Sequence, residues 1–141
     1  CALERLCREL GLSDRVHFTG WVDEVAPLLS ALDVYVSASR TESFGLTIVE
    51  AMAASRAVVA TSTEGAREII TPENYGLLVA VGDYQALAAS VLRLLEDEEE
   101  RERIGALACE HVRSRFSLDR MTDATEQVYL EAMNAERGTR S

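Results

Sequence analysis

Two carboxylates, Glu42 and Glu50, flank a glycine in the run Ser39-Arg-Thr-Glu-Ser-Phe-Gly-Leu-Thr-Ile-Val-Glu-Ala-Met-Ala53. Gly45 opens an apolar helical stretch. A helix start offers unpaired N–H groups and the positive end of the dipole to an anion, and glycine lets a ligand approach the backbone closely. The N–H groups of Phe44, Gly45, Leu46 and Thr47 are therefore a candidate anion seat. The competing reading has the Ser43 side chain capping the helix, although one cap satisfies only part of the four free donors. Glu50 is the only charge between Leu46 and Ser55. A carboxylate only accepts hydrogen bonds, and its bonds are charge-assisted, which suits a vicinal diol. Phosphates at the helix start and ribose hydroxyls on Glu50 would together accommodate a nucleoside diphosphate. Helical spacing puts Ser43, Thr47, Glu50 and Ala54 on one stripe. That stripe fits a solvent face or the wall of a ligand cleft, and geometry alone leaves the two open. By composition alone, Glu42 is one loop acid among 24 acidic residues.

These residues need a frame, and the flanking pattern supplies one. The spacing predicts helices over Ala2–Leu10, Glu24–Ala31, Gly45–Ala54, Ala66–Ile70 and Tyr84–Leu95 (capped by Asp83), alternating with strands over Val16–Thr19, Val34–Ser37, Ala57–Ala60 and Gly76–Val81. Leu3, Leu6, Cys7 and Leu10 mark one side of the first helix. Such alternation is the pattern of a doubly wound, Rossmann-like α/β sheet, whose ligands sit past the carboxyl ends of the strands. Two further helices, Glu98–Arg115 and Leu118–Glu136, follow. The run Glu96–Glu100 reads as a helix start, with Asp97–Arg101 and Glu99–Arg103 four apart. The chain has 141 residues, 48% of them hydrophobic, enough for one domain with a real core. A formal charge of −10 argues against nucleic acid as a partner. No apolar run reaches transmembrane length, and no secretory signal is present. Cys1, Cys7 and Cys109 show no metal spacing and read as reduced thiols of a cytosolic protein.

The spacing of Glu42 and Glu50, with Ser-Phe-Gly after the first and Ala-Met-Ala after the second, resembles the E-x7-E signature of the retaining group 1 glycosyltransferases. Other segments are similar to that family in the same order. They are Leu12-Ser-Asp-Arg-Val-His-Phe-Thr-Gly20, Ala31-Leu-Asp-Val-Tyr-Val-Ser37, Val58-Val-Ala-Thr61, Gly76-Leu-Leu-Val79 and Gly82-Asp83. The likeness runs from about Leu3 to Met133.

The resemblance implies the C-terminal, donor-binding half of a two-domain GT-B architecture, acting without a metal or other cofactor on a UDP- or GDP-sugar. Glu42 would contact the donor sugar near its reacting carbon and stabilise positive charge there. Phe44, Gly45, Leu46 and Thr47 would seat the diphosphate, and Glu50 would clamp the ribose. Gly20 and Trp21 fall near the nucleobase, where Trp21 is read either as a stacking platform or as a partly buried structural residue. Arg40, the one cation that the sequence places beside this site, is read as pairing with Glu42 ahead of a phosphate. His17 is given a surface or packing role. Residues 1–115 are expected to form the Rossmann-like donor domain, incomplete at its N-terminus and lacking the family's upstream Arg/Lys pair, so that nucleotide binding is expected to be weak. Residues 116–141 are expected to form a helix crossing to a missing acceptor domain, with Met121, Thr125, Val128 and Ala132 as its apolar stripe, and a frayed tail of five residues. That missing domain would bring a hydroxyl acceptor (glycan or lipid-linked), any catalytic histidine and any peripheral contact with the inner membrane face; this chain alone would not turn over. Two departures stand out: Ser55-Arg56 replaces the family's glycine after the motif helix, and Glu64-Gly65 replaces its Gly-Gly turn. Two other readings are a half of a nucleotide-sugar 2-epimerase-like enzyme and a non-catalytic Rossmann-like interaction module.

Overall fold

The computed structural model describes residues 2–71 and 73–138. Strands Val34–Ser37 (β1), Ala57–Thr61 (β2) and Leu77–Val79 (β3) form a parallel sheet in the order β1-β2-β3. Val36 lies opposite Val59, and Val59 opposite Leu77. All five residues of the central strand β2 are buried, so its unbroken apolar run reflects cover on both faces. Alternation still sorts its side chains. Val58 and Ala60 enter one core with Ile48, Met52, Ile69 and Ile70, while Ala57 and Val59 enter another with Leu94 and Ile104. Each such isoleucine or methionine, fully withdrawn from water, stabilises the fold by about 1.5–3 kcal/mol.

Helices α3 (Leu46–Ala53) and α4 (Glu64–Ile70) make the two crossovers and cover the first face, joined by Leu29 of α2 (Val25–Ser30). Helix α5 (Tyr84–Glu96) covers the second. The long helix α6 (Glu98–Arg115) serves both, giving Ile104 to one core and Ala108 and Val112 to the other. Asp83 and Asp97 cap α5 and α6, accepting from the N–H groups of Ala86 at 2.9 Å and Glu100 at 2.8 Å. The acidic run is thus a helix start, but its ion pairs differ from the expected four-apart spacing. Arg101 reaches Glu98 at 3.6 Å, Arg103 reaches Glu100 at 3.9 Å, and Arg93 of α5 forks onto Glu100. With Asp97 turned to the helix backbone as a cap, its carboxylate is already engaged.

Two expectations are corrected, the strand at Val16–Thr19 and the frayed tail of five residues. Val16–Thr19 is not a strand: among the described residues it has no ladder partner, and Val16 and Phe18 are exposed. The sheet therefore has three strands rather than four. In α1 (Ala2–Glu9) only Cys7 is buried, and Leu3, Leu6 and Leu10 face solvent. Cys7 and Cys109 are free thiols, and Cys1 lies outside the described residues. Helix α7 (Leu118–Gly138) leaves Leu118, Met121, Val128, Tyr129 and Met133 exposed. Of the expected frayed tail, Arg137 and Gly138 close α7, and 139–141 lie outside the described residues. No helix among the described residues is long and apolar enough to cross a membrane.

The turn after α3 is left-handed: Ser55, which stands where the resemblance expects a glycine, has φ 58°. Helix α6 crosses this turn, and a Cβ on Gly105 would strike the Ser55 carbonyl oxygen and lie 3.1 Å from its carbon. Ser55→Gly is expected to raise stability by up to about 1 kcal/mol by relieving the backbone strain. Gly105→Ala is expected to lower it by about 1–3 kcal/mol, because rigid backbone must move. Chemical denaturation of the two variants checks both signs.

Candidate functional site

The three parallel strands end on one edge of the sheet, and the loops leaving them border an open hollow of about 690 Å³ lined by Arg40, Thr41, Glu42, Ser43, Ser62, Thr63, Glu64, Arg67 and Val81. That is ample for a sugar-sized ligand. Two ties fix the loop after β1. Thr61 ends β2 and donates its hydroxyl to the Ser39 carbonyl at 2.5 Å, and the Gly65 N–H donates to the Glu42 carbonyl at 3.2 Å. Gly65 also presses on Phe44: any Cβ there would sit 2.6 Å from the Phe44 carbonyl carbon. The glycine of the Glu64-Gly65 turn is therefore required by close approach, whereas Glu64 is exposed at the first position of α4 and lines the hollow.

Gly45 is the N-cap of α3, with φ 98° and no side-chain cap bond. Ser43 does not cap the helix, which corrects the competing reading; it lines the hollow instead. A Cβ on Gly45 would meet Ile48 and Ile69 at 3.2 Å and the Glu42 carboxyl carbon at 3.5 Å. The carboxyl group of Glu42 thus lies against the backbone that opens the helix. Its Oε2 is buried and finds no hydrogen-bond donor, an unfavourable state for a carboxylate oxygen unless a ligand completes it.

Arg40 does not pair with Glu42 among the described residues, against expectation. It is also not the one cation present, because Arg67 lines the same hollow. Arg67 and Glu64 stand three apart on α4, but the guanidinium turns back to the Ser62 carbonyl at 2.9 Å. The hollow thus holds two arginines and two glutamates in a chain of formal charge −10. Arg67 was missed because its chemistry depends on where α4 begins. Its only sequence signal is a cation in the second turn of a helix that starts at a strand's carboxyl end.

Glu50 is exposed and lines a different hollow, of about 510 Å³, with Asp23, Val25, Ala26, Leu29, Ser30, Ala53 and Ala54. The expected stripe is therefore divided. Ser43 faces the first hollow, Glu50 and Ala54 face the second, and Thr47 accepts the Tyr35 hydroxyl at 2.9 Å. Trp21 is 89% exposed and its indole N–H donates to Asp23 at 2.8 Å. The reading of Trp21 as a partly buried structural residue is corrected; its ring is free beside a residue of the second hollow. His17 is exposed.

An aromatic series approaches the same loop from α6. The Phe44 ring meets Phe116 edge-on (5.8 Å, 72°), Phe116 meets His111 edge-on (6.0 Å, 80°), and His111 stacks on Tyr75 (4.0 Å, 16°). His111 hydrogen-bonds the Ile69 backbone, and its Nε2 is buried without a partner. Burial, and then the charge of Arg115, hold its pKa below the ordinary value of 6.5; the bond to Ile69 opposes them. A lowered folded-state pKa means that the unfolded chain takes up the proton first. The contribution of His111 to stability is present above pH 6.5 and is lost as pH falls through the folded-state pKa. Among the described residues no group of three His, Cys, Asp or Glu side chains is placed to hold a metal ion.

A parallel α/β sheet with a glycine-opened helix at its carboxyl edge is a Rossmann-like arrangement, and the neighbouring folds are those of GT-B glycosyltransferases. The group 1 glycosyl transferase family matches residues 2–111, and the chain belongs to it. It is 42% identical over 122 residues to LpsD of Rhizobium meliloti (strain 1021), a lipopolysaccharide core biosynthesis glycosyltransferase, covering 86% of this chain and 36% of that protein. The C-terminal domain of the group 1 protein LpcC from Francisella tularensis matches with a TM-score of 0.76 and 31% identity, over 83% of this chain and 62% of that one. Anabaena Alr3699/HepE, solved in complex with UDP, matches with a TM-score of 0.89 and 29% identity, over 92% of this chain and 36% of that one. The chain spans little more than a third of the length of the full-length glycosyltransferases it matches.

If Glu42 is held for a ligand at some cost to the fold, Glu42→Ala should leave the chain as stable or more stable, by up to about 1 kcal/mol. Thermal unfolding without ligand checks this, and a clear loss of stability would make Glu42 a structural residue.

Proposed function

We propose that this chain is the donor-binding part of a retaining glycosyltransferase that moves a sugar from a nucleotide diphosphate to a hydroxyl acceptor without a metal. The observation that carries the reading is the opening of α3. Left-handed Gly45 leaves the first turn without a side-chain cap, and the unpartnered Glu42 carboxylate lies against it. The N–H groups of Phe44–Thr47 take the diphosphate, and the helix dipole favours its charge. Glu50 accepts from the ribose hydroxyls, and exposed Trp21 offers the base a stacking face beside the same hollow. The sugar lies toward Glu42, where a carboxylate stabilises the positive charge that develops as the glycosidic bond loosens. Arg40 and Arg67 line that side and offset the negative charge of the donor. The neighbour solved with UDP and with UDP-glucose supports a uridine nucleotide. The LpsD relative supports a glycan or lipid-linked acceptor, and the acceptor site falls to a partner domain. These same relatives favour the transferase over an epimerase-like half or a non-catalytic module.

The test is a titration of UDP and GDP against the purified chain, read by backbone amide shifts in NMR. UDP is expected to move Phe44–Glu50 at weak affinity, and Glu50→Ala to weaken it by about tenfold or more, the loss of a charge-assisted bond. A folded chain whose Phe44–Glu50 amides ignore millimolar nucleotide would overturn the reading.

A further inference from the structure

The candidate phosphate seat is made of backbone, so something must hold that backbone in place. Gly45 imposes a left-handed turn, and no side chain caps the helix behind it. Phe44 sits at this point and is gripped from two directions. On its main-chain side Gly65 lies so close that a Cβ would come within 2.6 Å of the carbonyl carbon. On its side-chain side the ring meets Phe116 edge-on at 5.8 Å. Phe116 is the C-cap of α6, its N–H bonded to the Val112 carbonyl at 2.8 Å, and Arg115 lies over its ring at 5.6 Å. Behind it stands His111, stacked at 4.0 Å on Tyr75 and bonded to the Ile69 backbone of α4. Tyr75 belongs to the 3-10 turn Glu73–Tyr75. This series therefore runs from the corner where α4, α6 and the 3-10 turn meet to Phe44, the partly exposed residue that begins the seat.

We infer that Phe116 and His111 are positioning residues for the donor phosphates. Through the edge-on contacts Phe44–Phe116 and Phe116–His111, α6 sets the orientation of Phe44 and with it the N–H groups of Phe44, Gly45, Leu46 and Thr47. This inference rests on the proposed donor site and adds what holds it in shape. The groups facing His111 are Arg115 of its own helix, the Tyr75 ring from the 3-10 turn and the Ile69 carbonyl from α4. A proton added to the imidazole charges a ring close to Arg115 and gives Nε2 a hydrogen with no acceptor. Both effects loosen the stack, so the seat should respond to the protonation of a side chain that does not touch the ligand.

The free protein gives the first test, with no ligand needed. Across pH 5–8, the amide signals of Phe44–Thr47 are expected to move in step with the titrating His111 ring. Signals that stay flat while the ring titrates would overturn the inference. In the second test, Phe116→Ala is expected to weaken UDP about two- to twelvefold, the worth of one edge-on aromatic pair, and Phe116→Tyr to restore it. Unchanged UDP affinity in Phe116→Ala, with Glu50→Ala still weakening it, would sink the inference and leave the donor site intact. In His111→Phe the acid-side loss of UDP affinity should shrink to that of the phosphate's own protonation, which both proteins share. If the unaltered chain binds no UDP, the donor reading fails and a role toward donor phosphates falls with it, whereas the free-protein titration shows separately whether His111 is coupled to Phe44–Thr47.

Discussion

A side chain at position 65 would begin 2.6 Å from the Phe44 carbonyl carbon, so the loop after β1 and the turn after β2 can meet only through a glycine. Their meeting is bonded as well as close, because the Gly65 N–H donates to Glu42, and Thr61 ties Ser39 one step nearer the sheet. In-register pairing of β1 with β2, up to Ser37 opposite Ala60, delivers both segments to the same edge. Parallel strands thus hand their register to a loop, and the loop acquires a fixed shape without secondary structure of its own. The unpartnered carboxylate of Glu42, the uncapped start of α3 and the orientation of Phe44 all depend on that contact.

An acidic chain is an unpromising place for a diphosphate if only net charge is counted. The charge of −10 is spread over the whole surface, and at physiological salt its field is screened within about 8 Å. On the proposed reading, what acts on the donor is local: aligned N–H groups at the start of α3 and two guanidiniums in the hollow. Neither arginine spends itself on a carboxylate among the described residues; Arg67 is steadied by the Ser62 carbonyl, which holds the group in place without neutralising it.

The elements whose signals are local were legible in the sequence. Strand β1 and helix α5 fall where an apolar run and an aspartate cap put them, since both signals act over a few residues. Family and fold class were legible from motif order, and the comparisons agree with both. Val16–Thr19 was misread because alternation tells which way side chains face but not whether a neighbouring strand exists. Ser55 was legible as a departure, yet its left-handed geometry was not, since a serine gives no sign that the turn persists. The pairs flanking Phe44 were invisible for a different reason. Phe116 is far away in sequence, and Gly65 matters through what it lacks. Glu42 was legible only by resemblance; its buried, unpartnered oxygen is a fact of three dimensions.

The division between the two hollows bears on why Glu42 and Glu50 are spaced as they are. From Leu46 to Glu50 the helix rises about 6 Å, at roughly 1.5 Å per residue, while Glu42 stands before the turn at Gly45. The carboxylates therefore flank the helix start instead of sharing one wall, with the seat of N–H groups between them. A nucleotide-sugar is itself linear, in the order sugar, diphosphate, ribose, base. On the proposed reading, a donor laid across the start of α3 would meet Glu42, then Phe44–Thr47, then Glu50. Inorganic phosphate or a free sugar would engage one station of that series and leave the rest unused. On the proposed reading, the arrangement favours a ligand whose two ends are joined through a diphosphate.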